Sequence, residues 1–372
     1  MIKVLHIISS LSFDGGVQNM LYNYYSNINR SKIRFDFVVH GTEKGGLEER
    51  FKAMGSNVFH VTPKRTSLAK NLVEINSVIR KGNYDVVHVH QNLSSGLSLL
   101  LASVHQVPVR ICHSHGCQDE MGFIRKARNS VLRAMNNVFA THRFACGQKA
   151  GVWLFGKDWG TDNSRDLIMY NALDLEKFQF DAQTRCEYRS KLELVDKFVL
   201  IQVGRLSQEK NQQFSINLMD KLRLIKPNSV LLIVGDGSMD NSLRSMVNGG
   251  LEDHIRFLGV RTDIWALLNA ADVMLLPSKN EGLGMVAIEA QSCGLRVVAS
   301  DAVPKEVALT SQIEFLSLDD DLSVWVNEVL KVEARDSQRS EVKGDFTNYS
   351  IKTQSSKYEQ WLINTVKNTR AI

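Results

Sequence analysis

The sequence has no uninterrupted apolar run of the roughly 18 to 20 residues a membrane-spanning helix requires. Its opening, MIKVLHIISS, is too short for the apolar centre of a signal peptide. A cytoplasmic protein is expected. Cysteine is sparse: Cys112, Cys117, Cys146, Cys186 and Cys293 are an odd number without framework spacing, which excludes a disulfide scaffold. No basic run of five or more occurs and no aromatic platform is interleaved with cations, so nucleic acid is not an expected partner. Low-complexity tracts, heptads and short-period repeats are also missing, which removes solenoids and coiled coils.

What is present is an ordinary globular composition, 44% hydrophobic and 23% charged over 372 residues, enough for two domains with buried cores. The net charge of +5 is unevenly spread: residues 1–170 hold 21 Lys and Arg against 12 Asp and Glu, and the remainder 24 against 28. A basic first half fits an anionic membrane surface or a phosphorylated substrate.

Strand-like apolar runs alternate with segments of helical period, the pattern of βα units around parallel sheets. In the first half the strands read as residues 2–8, 34–39, 57–60, 86–90, 109–113 and 143–146. A second series reads as 198–203, 230–234, 255–257, 273–276, 297–299 and 313–316, so two doubly wound α/β domains are predicted. The polar stretch 180–196 carries no strand pattern and reads as the linker, with domains of 1–181 and 182–348. The segment 349–372 has helical spacing and is expected to pack back on the first domain.

Three strand-to-helix segments carry candidate chemistry. In PSKNEGLGMVAIEAQSCG (277–294) a glycine-containing loop leads into an apolar helix expected to start near Leu283. That leaves the backbone N–H groups of Gly282, Leu283, Gly284 and Met285 at a helix N-terminus, where phosphates and sugar hydroxyls bind. Glu281 and Glu289 lie at either end; they fit hydroxyl recognition, or else a helix cap and a solvated surface residue. VGRLSQEKN (203–211) places Arg205 and Lys210 after a strand, suited to a diphosphate. A surface ion pair with Glu209 is the alternative there. SSLSFDGG (9–16) sets Gly15 and Gly16 before a helix opening at Val17, without the spacing of a dinucleotide or Walker loop.

Two HxH pairs, His88 with His90 and His113 with His115, end two strands. The spacing is compatible with zinc, but no HExxH carboxylate accompanies it, and one histidine facing an interdomain cleft is the preferred reading. No DxD pair follows DVVHVH, and Asp319 to Asp321 lie far from the other motifs. No metal is therefore expected: Arg205, Lys210 and helix dipoles suffice to neutralise a diphosphate. The stretch 121–139, MGFIRKARNSVLRAMNNVF, carries Arg125, Lys126, Arg128 and Arg133 with no acid, and Phe123, Ile124, Ala127, Val131, Leu132 and Met135 at helical spacing. It reads as a peripheral contact with the anionic inner leaflet, or as a core-packed helix with a solvated basic side.

Taken together, the GG loop at Gly15, ICHSHG at Ile111, ACGQKAGVWLFG at Ala145, NALDLEKF at Asn171, VGRLSQEKN at Val203, LLIVGDG at Leu231, FLGVRTDI at Phe257 and EGLGMVAIE at Glu281 resemble the retaining glycosyltransferases of family 4 over nearly the whole chain. The second and third of the longer motifs look most like bacterial capsular and exopolysaccharide transferases. The resemblance implies a GT-B fold, two Rossmann-like domains facing each other across a cleft. It implies transfer of a hexose or N-acetylhexosamine, with retention and without metal or other cofactor, from a nucleotide-diphosphate sugar to a lipid-linked glycan. A UDP-sugar is the expected donor. Arg205 and Lys210 would hold the diphosphate, Glu289 the ribose and Glu281 the sugar. Backbone at Gly16, Gly282, Leu283, Gly284, Met285 and Val286 would complete the grip, with His115 approaching the sugar and Gly259 and Val260 bordering the base. The sequence departs from the family signature at Leu283, often aromatic, and at Gln18, often glutamate. A sugar-nucleotide epimerase and a noncatalytic donor-binding subunit are the competing readings of the same scaffold.

Overall fold

The computed structural model describes the chain apart from residues 13–15, 117–121, 163, 333–338, 340–341 and 371–372, so Gly15, Cys117 and Met121 lie outside the described residues. The chain forms two compact units, Met1–Leu173 with Thr347–Ile372, and Asp174–Phe346.

In the first unit the strands are β1 (Ile2–Ile8), β2 (Ile33–His40), β3 (Val58–Val61), β4 (Val86–Val89), β5 (Val109–Ser114), β6 (His142–Ala145) and β7 (Asp166–Ile168). They form one parallel sheet in the order β3-β2-β1-β4-β5-β6-β7. Helices α1 (Gly16–Asn27), α2 (Glu48–Ala53), α3 (Leu68–Gly82), α4 (Gly96–Val104), α5 (Phe123–Phe139) and α6 (Gln148–Phe155) connect them. Central strands buried on both faces must be apolar nearly throughout, and Val4 to Ile8 are. The strand β7 escaped the sequence pattern because it is three residues long and held by polar bonds: Arg143 Nε and Nη2 donate to Asp166 Oδ1 and Oδ2 at 2.6 and 2.7 Å.

The second unit holds α7 (Ala182–Lys191), β8 (Phe198–Val203), α8 (Gln212–Ile225), β9 (Ser229–Val234), α9 (Asp240–Ser245), β10 (Ile255–Gly259), α10 (Ile264–Ala270), β11 (Val273–Leu276), α11 (Met285–Ser292), β12 (Arg296–Ser300), β13 (Ile313–Leu316) and α12 (Leu322–Leu330). Its parallel sheet runs β10-β9-β8-β11-β12-β13. The final helix, α13 (Ile351–Arg370), belongs to the first unit, where Tyr358, Leu362 and Val366 enter a core with Met20, Tyr24 and Phe35.

The division between units falls after Leu173, not near Asp181. Leu173 N–H donates to the Tyr349 carbonyl and Ile351 N–H to the Leu173 carbonyl, both at 2.8 Å, so the outgoing and returning chains are bonded side by side. Residues 180–196 are not a linker. Asp181 caps α7 by accepting from Thr184 N–H at 2.6 Å, and the helix buries no side chain fully. It is held instead by Arg185 and Arg189, both paired with Asp272. With no apolar stripe to show, α7 leaves no periodic signal.

Candidate active site

In a doubly wound sheet, ligands bind beyond the carboxyl ends of the strands where the strand order reverses. In the second unit that point lies between β8 and β11, and the loops leaving these two strands carry VGRLSQEKN and EGLGMVAIE. The loops are stitched together: Lys279 N–H donates to the Glu209 carbonyl at 2.7 Å, and Asn211 Nδ2 to the Pro277 carbonyl at 3.1 Å. Gln202 Nε2, from inside β8, donates to the Lys210 carbonyl at 2.7 Å. Lys210 therefore sits opposite Glu281, its Nζ 2.5 Å from Oε1. In place of the alternative of a surface ion pair with Glu209, Lys210 makes one across 71 residues. Ser278, which sequence reasoning missed, is fully buried and donates its hydroxyl to the same Glu281 oxygen at 2.9 Å. Glu281 is not a helix cap.

The helix after this loop starts at Met285 rather than Leu283, because Gly284 adopts φ +87°, a left-handed conformation that breaks helical geometry and suits glycine. None of the backbone N–H groups from Gly282 to Val286 meets an acceptor among the described residues, so a row of donors is presented ahead of α11. Leu283 is buried and Gly282 exposed. Within α11, the Glu289 carboxylate is hydrogen-bonded to nothing among the described residues, and burial pushes its pKa up to about 7 against a weak opposing pull from Lys177. It is not a solvated surface residue.

The β9 and β10 ends complete this side. A Cβ on Gly235 would stand 2.0 Å from the Gly204 carbonyl oxygen, so glycine is required for the LLIVGDG loop to lie against the Arg205 loop. Gly235 N–H donates to the Gly259 carbonyl at 2.9 Å. Val260 is 73% exposed just beyond, and Arg205 is exposed at the head of its loop.

In the first unit the reversal lies between β1 and β4. Gly16 opens α1 at the carboxyl end of β1, with open space about it. Gln18 is buried and donates to Ser10 Oγ at 3.2 Å. His115 follows β5, its backbone N–H bonded to Asn92 Oδ1 at 2.9 Å.

The two HxH pairs are not separate features. Register places β1, β4 and β5 side by side, and His6 joins the four predicted rings in one row. The sequence hid His6 inside an apolar run. Nitrogens of His6, His88 and His90, and of His90, His113 and His115, lie within 4.8 Å of one another. A shared ion must lie in the plane of each ligating ring, about 2.0 to 2.1 Å from nitrogen. His88 and His90 stack at 4.1 Å with 28° between planes, and His113 and His115 at 3.9 Å with 27°, so their lone pairs run side by side instead of converging. The rings are joined in two hydrogen-bonded rows, His6 with His90 and His115, and His113 with His88.

Two doubly wound parallel domains make up the GT-B fold. The Glycosyltransferase Family 4 model matches residues 14–177, and the Glycosyl transferases group 1 model residues 184–314. The chain belongs to the family 4 glycosyltransferases. It is 30% identical over 339 residues to EpsF of Bacillus subtilis, named as a glycosyltransferase, covering 89% of this chain and 88% of that one. It is 29% identical over 274 residues to the UDP-Gal:alpha-D-GlcNAc-diphosphoundecaprenol alpha-1,3-galactosyltransferase of Escherichia coli, covering 71% and 70% of the two chains. In fold it is similar to Anabaena Alr3699/HepE solved with UDP, with a TM-score of 0.73 at 18% identity over 100% of this chain and 99% of that one.

Proposed function

We propose that this enzyme moves a hexosyl or N-acetylhexosaminyl group from a UDP-sugar to a lipid-linked glycan in capsular or exopolysaccharide synthesis, with retention and without a metal. The observation that carries the reading is the Lys210 and Glu281 pair at the switch point, in the loop that continues into the unmatched N–H groups of residues 282–286. Without donor, each charge satisfies the other. A diphosphate takes Lys210 and Arg205 as charge-assisted donors, which frees Glu281 to accept hydroxyls of the sugar. Glu289 takes the ribose hydroxyls, Gly259 and Val260 border the base, and His115 and the Gly16 backbone serve the transferred sugar. As the glycosidic bond breaks, charge grows on the departing phosphate, where these cations and backbone dipoles stabilise it. The acceptor hydroxyl enters on the face that the phosphate leaves, and a phosphate oxygen takes its proton. The donor and acceptor classes are supported by the E. coli relative's name and by HepE, solved with UDP-glucose.

Incubation with a panel of UDP- and GDP-sugars, reading nucleotide release and thermal shift, tests this. UDP-sugars alone should raise the melting temperature and release nucleotide, unaffected by EDTA. Stabilisation by GDP-sugars only, or activity lost with EDTA and restored by Mn²⁺, overturns the donor or the metal assignment respectively.

The acceptor's lipid also explains α5. No helix among the described residues is long and apolar enough to cross a membrane. Phe123 and Ile124 are 85% and 86% exposed, beside exposed Arg125, Lys126 and Arg128. Arg133 has to be removed from the predicted cationic face: its Nε donates to the Trp153 carbonyl at 2.8 Å and its guanidinium lies over the Trp153 ring. We propose that the first two turns of α5 rest on an anionic bilayer, at about 1 kcal/mol per basic side chain. Sedimentation with anionic vesicles should capture the wild type at low salt and release it at high salt. An Arg125, Lys126 and Arg128 to Gln variant should stay in solution; equal capture of both overturns the assignment.

A further inference from the structure

The histidine row has a direction. His6 Nδ1 lies 3.0 Å from His90 Nε2, and His90 Nδ1 lies 2.8 Å from His115 Nε2. Beside it, His113 Nδ1 lies 3.1 Å from His88 Nε2, and His88 Nδ1 lies 3.2 Å from Tyr358 Oη. A neutral imidazole carries one N–H and one lone pair, so a chain of three rings has only two self-consistent arrangements, with every proton pointing toward His115 or every proton pointing toward His6.

The buried end decides between them. His6 Nε2 and His113 Nε2 are both buried without a partner. An orphaned buried N–H is rarer and costlier than an orphaned lone pair. The first row therefore terminates in a lone pair at His6 Nε2, which puts the protons of His6, His90 and His115 on Nδ1; the second row leaves one donor unmatched in either sense, His113 Nε2–H or Tyr358 O–H. The surroundings keep the rings uncharged: Phe35 and Phe37 face His6, Phe144 faces His88 and His113, and Tyr358 closes the second row. Among the described residues, no carboxylate is hydrogen-bonded to any of the five rings. Burial and mutual repulsion hold His88, His90 and His113 far below the ordinary histidine range, and burial pushes His115 to about 3.

We propose that His90, backed by His6, is a positioning residue that locks His115 as the neutral Nδ1–H tautomer, so that His115 meets the donor sugar as a hydrogen-bond donor and not as a base or a cation. The inference rests on the placement of His115 at the donor sugar. The lock itself follows from the row alone: His90 Nδ1–H occupies the Nε2 lone pair of His115, the atom that would otherwise accept a proton. A sugar hydroxyl then receives a fixed dipole at no cost in local charge.

The test is a long-range ¹H–¹⁵N correlation spectrum of the full chain labelled at histidine, with His115→Ala assigning the resonances, beside kinetics of His90 variants. The wild type should show His115 protonated at Nδ1 and bare at Nε2. His90→Leu should give mixed tautomers and a fall of about tenfold in kcat, the loss of one oriented hydrogen bond, with KM for the donor little changed. His90→Asn, whose amide nitrogen stands near the Nδ1 position, should restore the tautomer and recover more of kcat than His90→Gln, whose amide reaches toward His6. A wild-type His115 protonated at Nε2 or on both nitrogens overturns the lock, and this reading does not depend on any variant folding. The expected tautomer together with full activity of His115→Ala would leave the lock standing and remove His115 from the donor site.

Discussion

Lys210→Met is expected to lower kcat/KM for the donor by 10² to 10³, the usual loss on removing one preorganised partner of a developing oxyanion, and to destabilise the free protein as well. The second effect has its own cause. Glu281 is 7% exposed at its side chain, so removing Lys210 strands a carboxylate that, among the described residues, retains only the Ser278 hydroxyl. Breaking a buried pair from one side costs about 3 to 5 kcal/mol; Lys210 is 26% exposed, and solvent screening brings the figure down to roughly 1 to 3. The double variant Lys210→Met with Glu281→Gln should recover the melting temperature and none of the activity. Thermal denaturation and steady-state kinetics on the three variants decide the point. Recovery of activity along with stability would mean that the pair is a structural brace outside the site.

Glu289 is expected to set the pH dependence of donor use. A carboxyl with its pKa pushed up to about 7 is largely protonated in mildly acidic solution, whereas accepting two ribose hydroxyls calls for the anion. The kcat/KM should climb with pH through about 7, since this ratio reports groups of the free enzyme. Glu289→Ala should cost on the order of 100-fold above that point, from roughly 3 kcal/mol of lost charged acceptor. Glu289→Gln, which keeps one carbonyl acceptor, should cost about tenfold and abolish the limb. The same limb in Glu289→Gln would assign the titration elsewhere.

Stability moves the other way. Because the folded pKa lies above the ordinary carboxyl value, the folded state holds more protons than the unfolded one between 4.5 and about 7, and the associated stabilisation is lost as pH rises through that interval. Above it the buried anion costs up to about 3 kcal/mol, less in practice because the residue is partly exposed. Glu289→Gln should therefore melt a few degrees higher than the wild type at pH 8 while being the poorer enzyme.

Strands buried on both faces announce themselves as apolar runs, which is why β8 and β11 have the same ends in the sequence reading and in the structure. Elements held by ions do not: α7 hangs on Asp272, and β7 on the pairing of Arg143 with Asp166. The loops bearing Arg205, Lys210, Glu281 and Glu289 were legible because glycines and charges follow apolar strands there. The partnership of Lys210 with Glu281 was not, since it comes from β8 lying next to β11, a neighbourhood that no local pattern encodes. His6 was lost for the same reason, its partner strand β4 being three strands on in sequence and adjacent in the sheet.

The side-by-side crossing at Leu173 and the docking of α13 impose an order on synthesis. The ribosome delivers the first unit's sheet early, but the helix that fills its core with Tyr358, Leu362 and Val366 comes only after all of the second unit. The packing of the first unit can close only once α13 has been made, whereas the second unit, Asp174–Phe346, is continuous in the chain. Until α13 is made, His88 of β4 lacks the Tyr358 ring that lies beside it and the hydroxyl that bonds its Nδ1.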